Sequence, residues 1–247
     1  MGRWSRLVAE RFVRWLDPRP GLRWLDVGCG TGALATRICD LADPASVVAC
    51  DPSKPLVDHL GSRMRDSRVS VVVGGAGDLP VDPSGFDGVV SGLVLNFLPD
   101  PRQSVAEMGA RVRAGGLVAG YVWDYGGRME FLRRFWDEAS ALDATARDLD
   151  EGVRFPMCQR DALESIFRDA GLRDVASEAI EIRTPFEDFS AYWEPFLGGT
   201  GPAPSYVASL GSEKRNELRD RLEHRLTAGS GGAFDLTARA WAVRGTV

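Results

Sequence analysis

The spacing of apolar residues changes along the chain, and each change marks an element. Trp4, Leu7, Val8, Phe12, Trp15 and Leu16 recur every three to four positions, with Arg3, Arg6, Arg11 and Arg14 among them. That period is one face of an amphipathic helix, expected to pack on the body of a domain. From position 22 onward short apolar runs alternate with helical stretches. Strands are expected at 23–27, 46–50, 69–73, 86–91 and 117–123, and helices at 31–41, 53–65 and from Asp100 to near Arg113. Ser53 and Asp100 are N-cap residue types, Pro55 and Pro101 suit a first helical turn, and Gly115 with Gly116 should stop the third of these helices. Apolar strands joined by helical crossovers imply a parallel sheet covered on both faces.

After Asp124 the texture changes. A helix is expected at 129–149, another at 161–170 ended by Gly171, and a strand at 174–185. An aromatic-rich stretch, 187–201, carries Phe189, Tyr192, Trp193 and Phe196, and runs into a Gly/Pro loop, GGTGPAP. A charged helix at 212–227 and a last strand at 234–244 complete the pattern. No internal repeat and no clean linker interrupt it. The chain therefore reads as a single domain over 1–247, with an N-terminal helix at 1–17, a core at 22–124 and a helical insertion at 186–230 between the last two strands.

Composition narrows the class. The apolar fraction of 44% is too high for a disordered chain. A net charge of −5 and a pI near 5.2 argue against a nucleic-acid binder, which needs a basic face. No apolar run approaches the ~20 residues of a membrane span, so no membrane partner is expected. Cys29, Cys39, Cys50 and Cys158 form no C-x-x-C pair. They read as buried free thiols in a reducing, cytoplasmic setting. No Cys/His spacing suits a metal, and none is expected. His59 and His224 fall in expected helices, where surface roles are ordinary.

Candidate chemistry begins at the end of the first strand, where Asp26-Val27-Gly28-Cys29-Gly30-Thr31-Gly32 leads into a helix. Glycines let the backbone turn tightly and approach a ligand, and a helix start presents unpaired N–H groups to the same place. Asp51 ends the second strand, where a carboxylate can accept the hydroxyl hydrogens of a ribose. The order of glycine turn, helix, strand and acid points to a nucleoside-containing cofactor. Two compete. Gly28, Gly30 and Ala33 satisfy G-x-G-x-x-A, which suits a nicotinamide dinucleotide. Asp26 places negative charge beside the turn, which suits a cofactor carrying an amino group and a sulfonium. No Tyr-x-x-x-Lys accompanies the turn, since neither Lys54 nor Lys214 follows a tyrosine at that spacing.

Four segments, LDVGCGTG, ACDPS, GGAGDLPVDPSGFDGVV and SGLVLNFLPDP, taken in order, resemble the class I S-adenosylmethionine-dependent methyltransferases of the ubiquinone-biosynthesis-like, small-molecule group. The resemblance implies a doubly wound, seven-stranded, mostly parallel sheet with an antiparallel C-terminal strand and a helical lid insertion. It also implies S-adenosylmethionine as cofactor and methyl transfer to a small molecule. Gly28, Cys29 and Gly30 would then wrap the methionine half, and Asp26 would orient its amino group. Asp51 would hold the ribose, with Pro52 and Ser53 beside the adenine. Gly75, Ala76 and Gly77 would meet the adenine edge, and Ser91, Gly92 and Leu93 would line the methionine side. Phe97 would lie near the cofactor. Gly75 stands where the family often has an aspartate for the adenine amino group, and Asn96 stands where histidine is common. Asp78 is a possible substitute for the missing acid.

The acceptor should bind above the ends of the fourth and fifth strands. Asn96, Tyr121 and Trp123 are expected there, with Trp193 and Phe196 from a lid. Asp124 and Tyr125 are the candidate bases, required only when the acceptor carries a proton. Two other readings stand beside methyl transfer: a nicotinamide oxidoreductase, and a non-catalytic module that keeps the cofactor fold.

Overall fold

A computed structural model of the chain describes residues 2–198, 200–228 and 232–247. Seven strands form one sheet in the order β3-β2-β1-β4-β5-β7-β6. They are β1 (Arg23–Val27), β2 (Ser46–Asp51), β3 (Val69–Val73), β4 (Phe86–Gly92), β5 (Val112–Trp123), β6 (Arg173–Phe186) and β7 (Phe234–Thr246). The first five are parallel neighbours, with Asp26 opposite Ala49 and Val90, and Gly92 opposite Tyr121. β7 runs against β5: Gly115 and Gly116 exchange hydrogen bonds with Val247, while the Asp124 N–H donates to the Arg239 carbonyl. This is the α/β sheet with an antiparallel C-terminal strand that the sequence implies.

The chain divides into two compact units, one of 1–122, 159–180 and 240–247, the other of 123–158 and 181–239. The helical unit is thus wider than the 186–230 insertion read from the sequence.

In the first unit α1 (Gly2–Leu16) buries Trp4, Val8, Phe12 and Leu16, the stripe that its period marks. Arg244 lies over the Trp15 ring, 4.9 Å from its centroid. The side chain of Arg3 lies outside the described residues. α2 (Ala33–Ala42) follows β1, and α3 (Lys54–Arg63) follows β2. Ser53 holds the N-cap position of α3 but makes no capping bond with its side chain. α4 (Pro101–Gly109) has a working cap, with Asp100 accepting from the Gln103 N–H. It ends at Gly109, earlier than Gly115 and Gly116 suggest. Those two glycines lie inside β5, where the register with β4 shifts and Gly115 has a positive φ of 73°. They serve a bulge, not a helix stop.

In the second unit the stretch expected as one helix over 129–149 breaks. α5 (Glu130–Leu142) ends at Asp143, whose carboxylate caps a 3-10 turn over Ala144–Leu149. A short α6 (Glu151–Arg154) follows, and α7 (Arg160–Asp169) returns to the first unit. The aromatic stretch forms α8 (Phe189–Trp193) and α9 (Pro195–Gly198). Part of the expected Gly/Pro loop is helical, because Pro202 and Pro204 fall in the first turn of α10 (Pro202–Ser209), where a missing N–H costs nothing. α11 (Ser212–Thr227) is the charged helix.

Candidate functional site

The glycine turn gathers at the carboxyl ends of β1 and β2. Gly28, Gly30 and Gly32 all have positive φ, 73°, 52° and 84°, which L side chains rarely adopt. The Gly28 and Cys29 N–H groups donate to the Cys50 carbonyl at 2.8 and 3.0 Å, locking the turn against β2. A Cβ on Gly28 would fall 2.5 Å from Val94 Cγ2, whereas one on Gly30 would meet nothing within 4 Å. Gly28 is therefore needed for close packing, and Gly30 faces open space. The two give the hollow that a ligand approaching the backbone requires.

Two buried carboxylates flank this hollow. Asp26 accepts the Ala35 N–H at 3.1 Å through Oδ2, and its Oδ1 is buried without a partner. Burial raises its pKa to about 7, opposed by the Ala35 bond and reinforced by the charge of Asp51. Asp51 accepts the Gly30 N–H at 3.0 Å through Oδ2 and the Ser53 N–H at 2.9 Å through Oδ1. Each of its oxygens keeps a further lone pair for a hydrogen-bond donor. Cys29, beside them, has its thiol pushed far up by burial and by Asp26 and Asp51.

The loop after β3 brings Gly75, Ala76 and Gly77 together beside Pro52, whose Cβ lies 3.3 Å from the place of a Cβ on Gly75. The Gly77 N–H donates to Glu107 Oε2 at 2.9 Å. Glu107, on α4, escaped the sequence reading, and no spacing from 30 residues away marks it. Gly77 thus spends its amide on protein. Asp78 is exposed. After β4 the Ser91 hydroxyl donates to the Val27 carbonyl at 3.0 Å, so its side chain pins two strands. Leu93 takes φ 63°, an uncommon value for a residue with a Cβ, and its N–H donates to the Tyr121 carbonyl. Asn96 is buried with both side-chain polar atoms unpartnered, while Phe97 is 63% exposed. Tyr121 is buried and its ring packs on Phe12 at 4.8 Å between centroids.

In the second unit the expected acceptor and base residues have other work. Asp124 receives Arg239 Nε at 2.7 Å and Nη2 at 2.6 Å, and the Arg128 N–H at 2.9 Å. With three donors on it, Asp124 is an anchor and not a free base. Its partner Arg239 lies 115 residues away, out of reach of any motif. Tyr125 is buried with its ring 5.7 Å from that of Phe155. Trp123 is buried as well. Phe196 stacks on Phe131 at 4.7 Å and on Phe135 at 4.5 Å, and Trp193 lies 5.9 Å from Phe196. Tyr192 donates its hydroxyl to the Phe131 carbonyl. These aromatics make the core of their own unit. Among the described residues no group of His, Cys, Asp and Glu side chains could hold a metal.

A glycine turn and two carboxylates held by backbone amides thus stand together in a mostly parallel sheet. Residues 25–120 match the family model described as a methyltransferase domain. The matched segment, under half of the chain, is thus similar to a methyltransferase domain and carries the glycine turn and Asp51. The chain is 33% identical over 118 residues to the nocamycin O-methyltransferase of Saccharothrix syringae, covering 46% of this chain and 42% of that one. It is 28% identical over 222 residues to the O-methyltransferase cnsE of Penicillium expansum, covering 87% and 75%. A methyltransferase of Mycobacterium tuberculosis is 31% identical over 112 residues, 45% of this chain and 44% of that one. The chain thus spans under half the length of several curated relatives that it matches. In fold it is similar to the YcgJ protein of Bacillus subtilis, with TM-score 0.61, 14% identity and 97% of each chain covered. It is also similar to phosphoethanolamine N-methyltransferase 2 of Haemonchus contortus in complex with S-adenosyl-L-methionine, with TM-score 0.57, 16% identity, and 99% of this chain and 52% of that one covered.

Proposed function

We propose that the protein transfers the methyl group of S-adenosylmethionine to a small organic acceptor, leaving S-adenosylhomocysteine. The observation that carries this reading is Asp26 Oδ1, a buried carboxylate oxygen without a partner beside a glycine hollow open at Gly30. An unpaired buried carboxylate is costly, and a cationic ligand would offset that cost. The residues fit the cofactor. Asp26 would receive the amino group, Gly28, Cys29 and Gly30 would wrap the methionine half, and Asp51 would accept from the ribose. Pro52, Ser53, Gly75, Ala76 and Gly77 would lie along the adenine. Ser91, Gly92, Leu93 and Phe97 would flank the other side.

The cofactor supplies an electrophilic methyl on a sulfonium. The chain's tasks are to hold that methyl in line with the acceptor and to keep water away. Likeness to two O-methyltransferases supports an oxygen acceptor, and Asn96, with a free donor and a free acceptor, is the residue we assign to it. No described helix is long and apolar enough to cross a membrane. Calorimetric titration with S-adenosylhomocysteine tests the cofactor, and transfer of labelled methyl to a panel of small hydroxylated metabolites tests the reaction. Binding of NADH in place of S-adenosylhomocysteine would restore the oxidoreductase reading. Cofactor binding with no methyl transfer to any acceptor class would favour the non-catalytic module.

A further inference from the structure

One row of residues crosses the sheet beside the hollow. Asp26 on β1 is opposite Val90 on β4, and Gly92, two residues on, is opposite Tyr121 on β5. Side chains alternate faces along a strand, so Asp26, Gly92 and Tyr121 share one face. Gly92 has no side chain, and the Tyr121 phenol fills the vacated space. Its Oη lies 2.6 Å from where a Cβ on Gly92 would stand. β4 separates β5 from β1, so the phenol extends over β4 towards Asp26. Phe12 backs the ring and fixes it.

A buried phenol ordinarily finds a hydrogen-bond partner. Here burial, with the charge of Asp26 adding to it, drives the Tyr121 hydroxyl well above the ordinary phenol range. Asp26 Oδ1 takes no hydrogen bond, so Tyr121 does not satisfy it. Two oxygen acceptors on one face of the sheet suit a donor with several N–H groups, and a primary ammonium has three. We propose that Tyr121 is a second ligand, with Asp26, for the α-ammonium of the cofactor's methionine half. This rests on the cofactor reading above and assigns Tyr121 to the cofactor, not to the acceptor.

The test compares two ligands that differ in that half. S-Adenosylhomocysteine carries the ammonium, and 5′-methylthioadenosine lacks the whole amino-acid portion. Tyr121→Phe keeps the ring against Phe12 and removes only the hydroxyl. It should weaken S-adenosylhomocysteine about tenfold, the value of one hydrogen bond to a charged group, and change methylthioadenosine less than about twofold. Gly92→Ala, which displaces the hydroxyl by its Cβ, should reproduce that selective loss. Equal losses for both ligands in both variants, or none for S-adenosylhomocysteine, would overturn the proposal. Wild-type protein that binds neither ligand would overturn the cofactor reading itself, and Tyr121 with it.

Discussion

The two units treat their buried acids differently. In the first, Asp26 and Asp51 are held by backbone N–H groups alone, from Ala35, Gly30 and Ser53. In the second, Asp124 is gripped by Arg239, Asp150 pairs with Arg133, and Glu151 accepts from the Trp136 indole. A carboxylate paired with arginine is neutralised within the protein. One held only by amides meets no positive side chain among the described residues. The pairing of a buried acid thus separates the proposed ligand site from the anchor at Asp124 more sharply than place does, since Asp26, Asp51 and Asp124 all lie at or beside strand ends.

The largest expected effect tests the anchor. Asp124→Ala takes from Arg239 its shorter ion pair, leaving the 3.8 Å pair with Glu181, and should cost about 3 kcal/mol, lowering Tm by roughly 6–12 °C. A thermal melt within 2 °C of wild type, on the order of measurement scatter, would dissolve the contrast between the units. Next comes the site. Asp51→Ala removes the acceptor of two loop amides and of the ribose, and should weaken S-adenosylhomocysteine about a hundredfold by calorimetry. An unchanged affinity would remove the ribose assignment.

Asp26 sharpens the comparison through pH. Its folded pKa, about 7, is above the ordinary 3.8, so the folded chain keeps a proton that the unfolded chain releases. Its contribution to stability is full below pH 3.8 and is lost as pH rises towards about 7. Ammonium binding favours the ionised form, so affinity for S-adenosylhomocysteine should rise about tenfold from pH 6 to pH 8. Asp26→Asn should flatten that rise, and a flat wild-type profile would count against an ammonium at Asp26. The smallest effect separates two caps. Asp100→Ala should cost about 1 kcal/mol in urea unfolding, and Ser53→Ala only a few tenths. Equal costs would mean that Ser53 caps α3 after all.

How much was legible in the sequence follows the same division. Strands β1 to β4 are local apolar runs, and the glycine turn needs positive φ wherever it occurs, so neighbouring residues suffice to read them. The end of α4 was misread because Gly115 and Gly116 stop a helix and make a bulge equally well, and only pairing with β4 decides between them. The break at Asp143 was hidden because apolar spacing continues through it. In the second unit the roles of Asp124, Trp193 and Phe196 depend on Arg239, Phe131 and Phe135, partners distant in sequence. A lid and a core show the same aromatic period.

Cys29 lies in the turn assigned to the methionine half of a methylating reagent. A thiolate there would be a potent nucleophile, open to irreversible capture by the reagent it helps to hold. Burial and two neighbouring carboxylates keep that sulfur protonated. In the proposed reading, the same acidic surroundings that would attract a sulfonium thus disarm the side chain best able to destroy it, and would spare the protein from alkylating itself.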